Sequence, residues 1–228
     1  MNTNADPKRA LIVFGGWDGH TPKQSAELFG QALGDAGYAV TLRDTLDAYL
    51  DADALAATDL IVPIFTMSTI TDEQWNGLNH AVQSGTGVAG FHGGMLDAFR
   101  NNTEYQWMTG AQWVAHPGDC IERHTVHVTD AGLGHPITAG LDDFELYDTE
   151  QYFCHVDPGN HVLCDTVFDQ AHGDPSLYTQ HTVMPYAYCK TWGKARVFAA
   201  MWGHTYKDFD VAEAKEIVLR GMVWATRI

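Results

Sequence analysis

Three of the twelve histidines in this 228-residue chain stand beside glycine where an apolar run ends: His20, His92 and His204. Gly90-Phe91-His92-Gly93-Gly94 follows the apolar run Gly87-Val88-Ala89 and precedes Met95 to Arg100, which has helical character. That is the layout of a nucleophile elbow, G-x-S-x-G, a strained strand-to-helix turn that lifts one side chain above the carboxyl edge of a sheet. Its glycines allow backbone conformations that a Cβ forbids and leave room for a ligand. The raised residue here is histidine, so the segment has the geometry of an elbow without its usual nucleophile. His20 ends the loop Gly15-Gly16-Trp17-Asp18-Gly19-His20, and His204 lies in Trp202-Gly203-His204-Thr205-Tyr206. A helix-capping His20, a satisfied buried His92 and a loop His204 bonded to a carbonyl are the plain alternatives. Three such positions together are hard to generate by core packing alone.

Two further segments carry candidate groups. Trp113-Val114-Ala115-His116-Pro117-Gly118 puts a histidine before a turn, and Tyr147-Asp148-Thr149-Glu150-Gln151-Tyr152 sets carboxylates between aromatics. Partial burial there would raise the pKa of Glu150 towards the working pH, which makes Glu150 and His92 the expected acid–base groups. The alternative for Glu150 is an exposed carboxylate paired with a lysine. Trp17, Asp18, Trp113, Tyr152 and Trp202 are the candidates for binding substrate, although tryptophans serve in cores as often. His20, His116 and His204 with a carboxylate would suffice to hold zinc or a similar divalent ion and leave a position open. Their spacing is not a compact motif such as H-E-x-x-H, so a metal-assisted reaction and pure side-chain catalysis both stay open. His80, His124, His127, His161, His172 and His181 carry no positional argument.

The elements that must position these residues alternate between strand and helix. Ala10 to Phe14, Tyr38 to Leu42 and Asp59 to Phe65 read as strands, and Gly87 to Ala89 as a fourth that runs into the elbow. Thr21-Pro22-Lys23-Gln24 supplies an N-cap, a proline at N1 and a capping-box glutamine for a helix ending at Gly37; Thr71-Asp72-Glu73-Gln74 opens a second helix. Strands that are apolar throughout belong to a parallel sheet covered by helices. The expected fold is α/β, a doubly wound, mostly parallel sheet with helices on both faces. Beyond it, Glu122 to Thr129 alternates like an edge strand and His161 to Phe168 reads as another. Val183 to Lys190 and Ala195 to Met201 form a β-hairpin extension, and a helix from about Asp210 closes the chain. No repeat or linker divides the sequence, so residues 1–228 are expected to form a single domain.

Thirteen Lys and Arg against 29 Asp and Glu give a formal net charge of −16. Such a chain repels phosphate backbones and anionic lipid, so neither nucleic acid nor a membrane is an expected partner. A small neutral molecule is, and a homo-oligomer is compatible with the composition. No window approaches a membrane span and the start of the chain, Met1 to Arg9, is polar, which points to the cytoplasm. Cys120, Cys154, Cys164 and Cys189 form no C-x-x-C pair and none stands at the elbow, which suits reduced thiols and argues against a cysteine amidase or peptidase. No phosphate-binding glycine fingerprint is present, so no nucleotide cofactor is expected.

In order and spacing, several of these segments together resemble the ThuA-like family of trehalose-utilisation proteins. They are Gly16 to His20, the Gly90–Gly94 elbow, His135-Pro136-Ile137-Thr138-Ala139-Gly140-Leu141, the pair Glu150 and Tyr152, Gly193-Lys194-Ala195-Arg196-Val197-Phe198, and Gly203-His204. The resemblance spans about Leu11 to Ile228 and implies a class I glutamine amidotransferase-like (flavodoxin-like) fold. It implies that His92 stands where an amidotransferase carries its cysteine, with His20, Glu150 and His204 near it. It further implies carbohydrate metabolism passing through 3-keto-glycosides. Phe65 to Thr71 departs from the trehalose branch, which is histidine-rich there. The expected activity is that of a hydrolase, lyase or isomerase acting on a small sugar or glycoside, an oxidised 3-keto one above all. The alternative is a non-catalytic sugar-binding or regulatory protein on a scaffold that lacks the nucleophile.

Overall fold

A computed structural model describes residues 6–168 and 182–228; His172 and His181 lie outside them. Its nine-stranded sheet is built from β1 (Arg9–Gly16), β2 (Ala39–Arg43), β3 (Leu60–Thr66), β4 (Gly87–Phe91), β6 (Cys120–Val128), β7 (Phe144–Glu150), β9 (His161–Phe168), β10 (Thr182–Trp192) and β11 (Ala195–Ala200). The spatial order is β2-β1-β3-β4-β11-β10-β9-β6-β7. Pairing is parallel from β2 through β11 and antiparallel from β11 to β7. A separate antiparallel pair joins β5 (Ala111–Ala115) to β8 (Phe153–Val156).

Sequence and burial agree where strands are apolar throughout. All five residues of β4 are buried, as are six of the seven in β3. Helix α1 (Pro22–Asp35) packs on β1 to β3, and α7 (Ala212–Ala225) packs on β4 and β11 through Ala214, Ile217, Val218, Gly221, Met222 and Ala225. Because β1, β3, β4 and β11 run parallel, their carboxyl ends share one edge of the sheet. His20, His92 and His204 each follow one of those ends.

Several local expectations are corrected. Thr21 does not form a capping box: its backbone is left-handed, at φ 47°, and its hydroxyl accepts the Tyr206 N–H at 2.9 Å instead. The box at Thr71 and Gln74, which opens α3 (Asp72–Gln83), does form, with both reciprocal bonds. The elbow helix, α4 (His92–Leu96), starts at the histidine itself and ends before Arg100. Strand β6 is not at the edge, since it pairs with both β9 and β7; β7 takes the edge. The β10–β11 pair turns at Gly193 and lies in the middle of the sheet, because β11 also runs beside β4.

The β6–β7 ribbon reaches the site from the other half of the molecule. It pairs with β9 through His127 and Val128, at the end of β6 remote from the Cys120–Glu150 pair, and the Thr166 hydroxyl of β9 donates to the Thr125 carbonyl beside them. That free end meets the turn after β11, where the Thr149 hydroxyl bonds Asp208.

The elbow rests on β3 without space to spare. A Cβ at Gly94 would lie 2.3 Å from the Pro63 carbonyl oxygen. Alanine normally stabilises a helix by about 1 kcal/mol relative to glycine, but overpacking against backbone costs about 1–3 kcal/mol. Gly94→Ala is therefore expected to destabilise the protein by up to about 2 kcal/mol in urea unfolding; a gain in stability would show that α4 does not bear on β3.

Candidate metal centre

The first histidine is delivered by a chain reversal at the end of β1. Gly16, at φ 82°, crosses the end of β3 so closely that a Cβ would lie on the Thr66 carbonyl oxygen. Trp17 N–H donates to that oxygen at 3.2 Å, and a short 3-10 turn over Asp18–His20 then turns His20 inward to 5% exposure. The second histidine, His92, takes the elbow position with φ 47° and is 1% exposed. Gly93 beside it lets the two rings approach, since a Cβ there would sit 2.9 Å from His20 Nδ1. The third, His204, follows β11 through Gly203. Glu150 closes the group from the end of β7.

These four side chains form one cluster. One donor atom from each of His20, His92, Glu150 and His204 lies within 4.8 Å of all the others. His92 Nε2 is 3.1 Å and His204 Nδ1 3.2 Å from the same oxygen, Glu150 Oε2. Neither contact is aligned as a hydrogen bond. Four buried atoms, His20 Nδ1, His92 Nε2, Glu150 Oε2 and His204 Nδ1, are left without a hydrogen-bond partner. Three imidazoles and one carboxylate with their free atoms facing a common point make a suitable ligand set for zinc or a similar divalent ion.

Burial and mutual charge set the protonation of the group. His20 is lowered to about 3, first by burial and then by His92 and His204. Burial also lowers His92, against the opposing pull of Glu150. For His204 the desolvation is outweighed by the pull of the Glu150 carboxylate 3.2 Å away, and its pKa is raised. Glu150 was expected to be raised by burial. Burial does push it up, but His204 and His92 overcome that push and hold it well below the ordinary carboxylate range.

The remaining candidates divide. His116 lies outside the four: its Nε2 is 3.6 Å from Glu150 Oε1, and its Nδ1 is 3.6 Å from Asp119. Tyr152 is buried, stacks on His92 at 3.9 Å and brings its hydroxyl to 3.2 Å from His92 Nδ1. It holds the histidine and offers no open face. Trp202 is corrected from a substrate-binding residue to a core residue: it is fully buried and donates its indole N–H to Ala214 O at 3.2 Å. Trp17 is 48% exposed with its ring 4.7 Å from that of His20, and Asp18 beside it is exposed. Trp113 is half-buried, its indole N–H has no partner, and Arg100 lies 4.6 Å over its ring.

Other participants were not foreseen. Thr66, at the end of β3, is buried with its hydroxyl unpartnered. Asp208 accepts the backbone N–H groups of Gly203 and His204. Among the described residues, the non-glycine positions in left-handed backbone are Thr21, Met67, His92, Asp119 and Asp148. Each is, or lies within three residues of, one of His20, Thr66, His92, His116 and Glu150. Such backbone costs of order 1–3 kcal/mol per residue and persists where the surroundings over-determine it.

Among the described residues no helix is long and apolar enough to cross a membrane. No curated protein matches the sequence. Solved structures similar in fold include a ThuA-like protein from Bacteroides uniformis, with 17% identity over 99% of this chain and 94% of that one at a TM-score of 0.77. A ThuA-like protein from Parabacteroides merdae is 18% identical over 96% of this chain and 90% of that one, at 0.71. A cold-adapted β-galactosidase from Rahnella sp. R3 matches at 17% identity and 0.58, covering 94% of this chain and 32% of that one. The family model for ThuA, described as trehalose utilisation, matches residues 9–225. With nearly its whole length accounted for, the chain belongs to the ThuA family.

Proposed function

We propose that this protein is a carbohydrate-catabolic enzyme that holds a divalent ion between His20, His92, Glu150 and His204 and acts on a small sugar or glycoside, an oxidised 3-keto one above all. One observation carries the reading: four buried donor atoms from four separate elements face one another and have no other partner. Leaving a buried polar atom unsatisfied costs about 1–3 kcal/mol, so four in one place call for a ligand. A zinc-like ion bound there supplies Lewis-acid polarisation of a carbonyl and stabilises charge developing on its oxygen.

The chain's own residues orient and enclose the reactants. The Tyr152 hydroxyl lies 3.2 Å from His92 Nδ1, and the tautomer that donates Nδ1–H to it would leave Nε2 free to face the cluster. Trp17 offers an exposed ring face to a sugar, Trp113 an unpartnered indole N–H, and Asp18 an acceptor for hydroxyls. A ketone acidifies the neighbouring C–H, so isomerisation, β-elimination and loss of a glycosidic substituent all follow from one enediolate. The parallel half of the sheet reads as a doubly wound, amidotransferase-like core, with the elbow at its ligand-binding edge. The family's described role in trehalose utilisation supports a sugar substrate.

The 3.1 Å approach of His92 to Glu150 favours a second reading, in which the two act as an acid–base pair without an ion. Protein purified without a histidine tag is expected to carry about one equivalent of divalent metal, lost in His20→Ala and in Glu150→Gln. Turnover of a 3-keto-glycoside should stop with chelator and return with metal. Full turnover by metal-free protein would transfer the reaction to the His92–Glu150 pair. Sugar binding with no turnover across native and oxidised glycosides would show a binding protein.

Trp17 and Trp202 separate by different measurements. Trp17→Ala should raise KM by up to about tenfold, the worth of one aromatic face at about 0.5–1.5 kcal/mol, with Tm unchanged. Trp202→Ala should cost about 3–5 kcal/mol in urea unfolding. A KM effect without a stability effect at Trp202 would restore it as a substrate-binding residue.

A further inference from the structure

Asp208 lies in the short 3-10 turn after His204 and is 7% exposed. A single oxygen, Oδ2, accepts three hydrogen bonds: from Thr149 Oγ1 at 2.7 Å, from Gly203 N at 3.0 Å and from His204 N at 3.0 Å. The last two are local and would suit an ordinary loop cap. The first is not local, since Thr149 is 59 residues away, on β7, immediately before Glu150. One carboxylate oxygen thus joins the backbone that carries His204 to the strand end that carries Glu150.

Other bonds hold the Glu150 arm to the sheet, from the Tyr186 hydroxyl on β10 to the Glu150 carbonyl oxygen at 3.3 Å and from the Gln151 amide to Thr166 and Val167 on β9, but none of them is made to the His204 backbone. Strand β7 is at the far edge of the sheet order, and at its Glu150 end it pairs only with Cys120 of β6. His204 follows β11, in the middle of the sheet. Yet Glu150 Oε2 and His204 Nδ1 are 3.2 Å apart. Hydrogen bonds to an ionised acceptor are about twice as strong as neutral ones, and three on one oxygen leave the joint little freedom.

We infer that Asp208 is a positioning residue for the centre, the staple that sets Glu150 and His204 at their mutual distance. The inference rests on the metal reading for its effect on binding, but its geometric part is testable without an ion. In metal-free Asp208→Ala, the Gly203 and His204 amides should exchange with deuterium at least about tenfold faster than in the wild type, as expected when a local restraint is removed. Zn2+ affinity should fall about 10–100-fold, the usual effect of losing a residue that orients metal ligands. The visible bands of the Co2+ form should shift with it.

Thr149→Val removes only the bond from β7. It should weaken Zn2+ binding and shift the Co2+ spectrum while leaving the two amides protected, which a mere loop cap would not do. Asp208→Asn keeps an acceptor oxygen and should recover most of the affinity. If Asp208→Ala fails to fold, Thr149→Val decides the matter. Wild-type Zn2+ affinity and Co2+ spectrum in Thr149→Val would overturn the staple. Should the wild type bind neither Zn2+ nor Co2+, the metal reading falls, and amide exchange on the β7 arm then judges the staple: faster exchange at Glu150 in both Asp208→Ala and Thr149→Val supports it, unchanged exchange there overturns it.

Discussion

A carboxylate buried at the edge of the sheet is the constraint around which this site is organised. An ionised carboxylate withdrawn from water costs several kcal/mol unless it is paired. Among the described residues the ion-pair partners of Glu150 are His92, His116 and His204, with no lysine or arginine. His20 and His92 are driven towards the neutral form and His204 towards the charged one. The pocket therefore holds a firmly ionised carboxylate beside two imidazoles, His20 and His92, that are held towards the neutral form with their lone pairs available. That electrostatic state has room for a cation, and a lysine side chain in the same place would have removed it.

Meeting that constraint shapes the fold on both sides of the cluster. The parallel half brings three histidines to one edge by the simplest means, strands of the same direction ending together. It cannot supply Glu150, which comes from the antiparallel half on a ribbon that pairs with β9 at the far end of β6. Near the cluster the two halves are joined through Asp208 Oδ2, which takes the Thr149 hydroxyl, and through Tyr186 on β10, whose hydroxyl donates to the Glu150 carbonyl oxygen. Backbone strain is concentrated in the same loops, at Thr21, His92 and Asp148 among others. The rigid sheet behind them is what keeps such conformations from relaxing.

How much of this could be read from residues alone depended on how local each signal was. The elbow was legible because glycine on both sides of His92, after an apolar run, is a pattern that core packing rarely produces. His20 and His204 were legible from the same glycine pairing. Glu150 was identified by its aromatic neighbours, but its environment was misread, since the histidines that depress its pKa come from other elements. Trp202 has the same flanking pattern as a substrate-binding residue and turned out to be core. Sequence proximity to a histidine does not report which way an indole points. Strands β5, β7 and β8 escaped because polar residues interrupt them, so no continuous apolar run stands out. Asp208 had one local sign, a carboxylate four residues past a glycine–histidine turn, but its bond to Thr149 is a tertiary fact.

The histidine at the elbow also limits the chemistry, and the cysteines show why. A thiol acts as a nucleophile through its thiolate, which requires a lowered pKa. Burial pushes Cys164 up to about 12 and Cys189 up to about 11, and it raises Cys154 further still. Cys120, the one exposed thiol, is raised by partial burial and then by the charge of Glu150, its partner across the β6–β7 ribbon. After burial, the carboxylate that suits the cluster to a cation thus also raises the Cys120 thiol. An α/β scaffold with this edge is ill-suited to covalent acyl transfer by its cysteines. What its geometry favours is an oxygen-bearing substrate held against imidazoles and a carboxylate, where charge develops on oxygen and a proton moves.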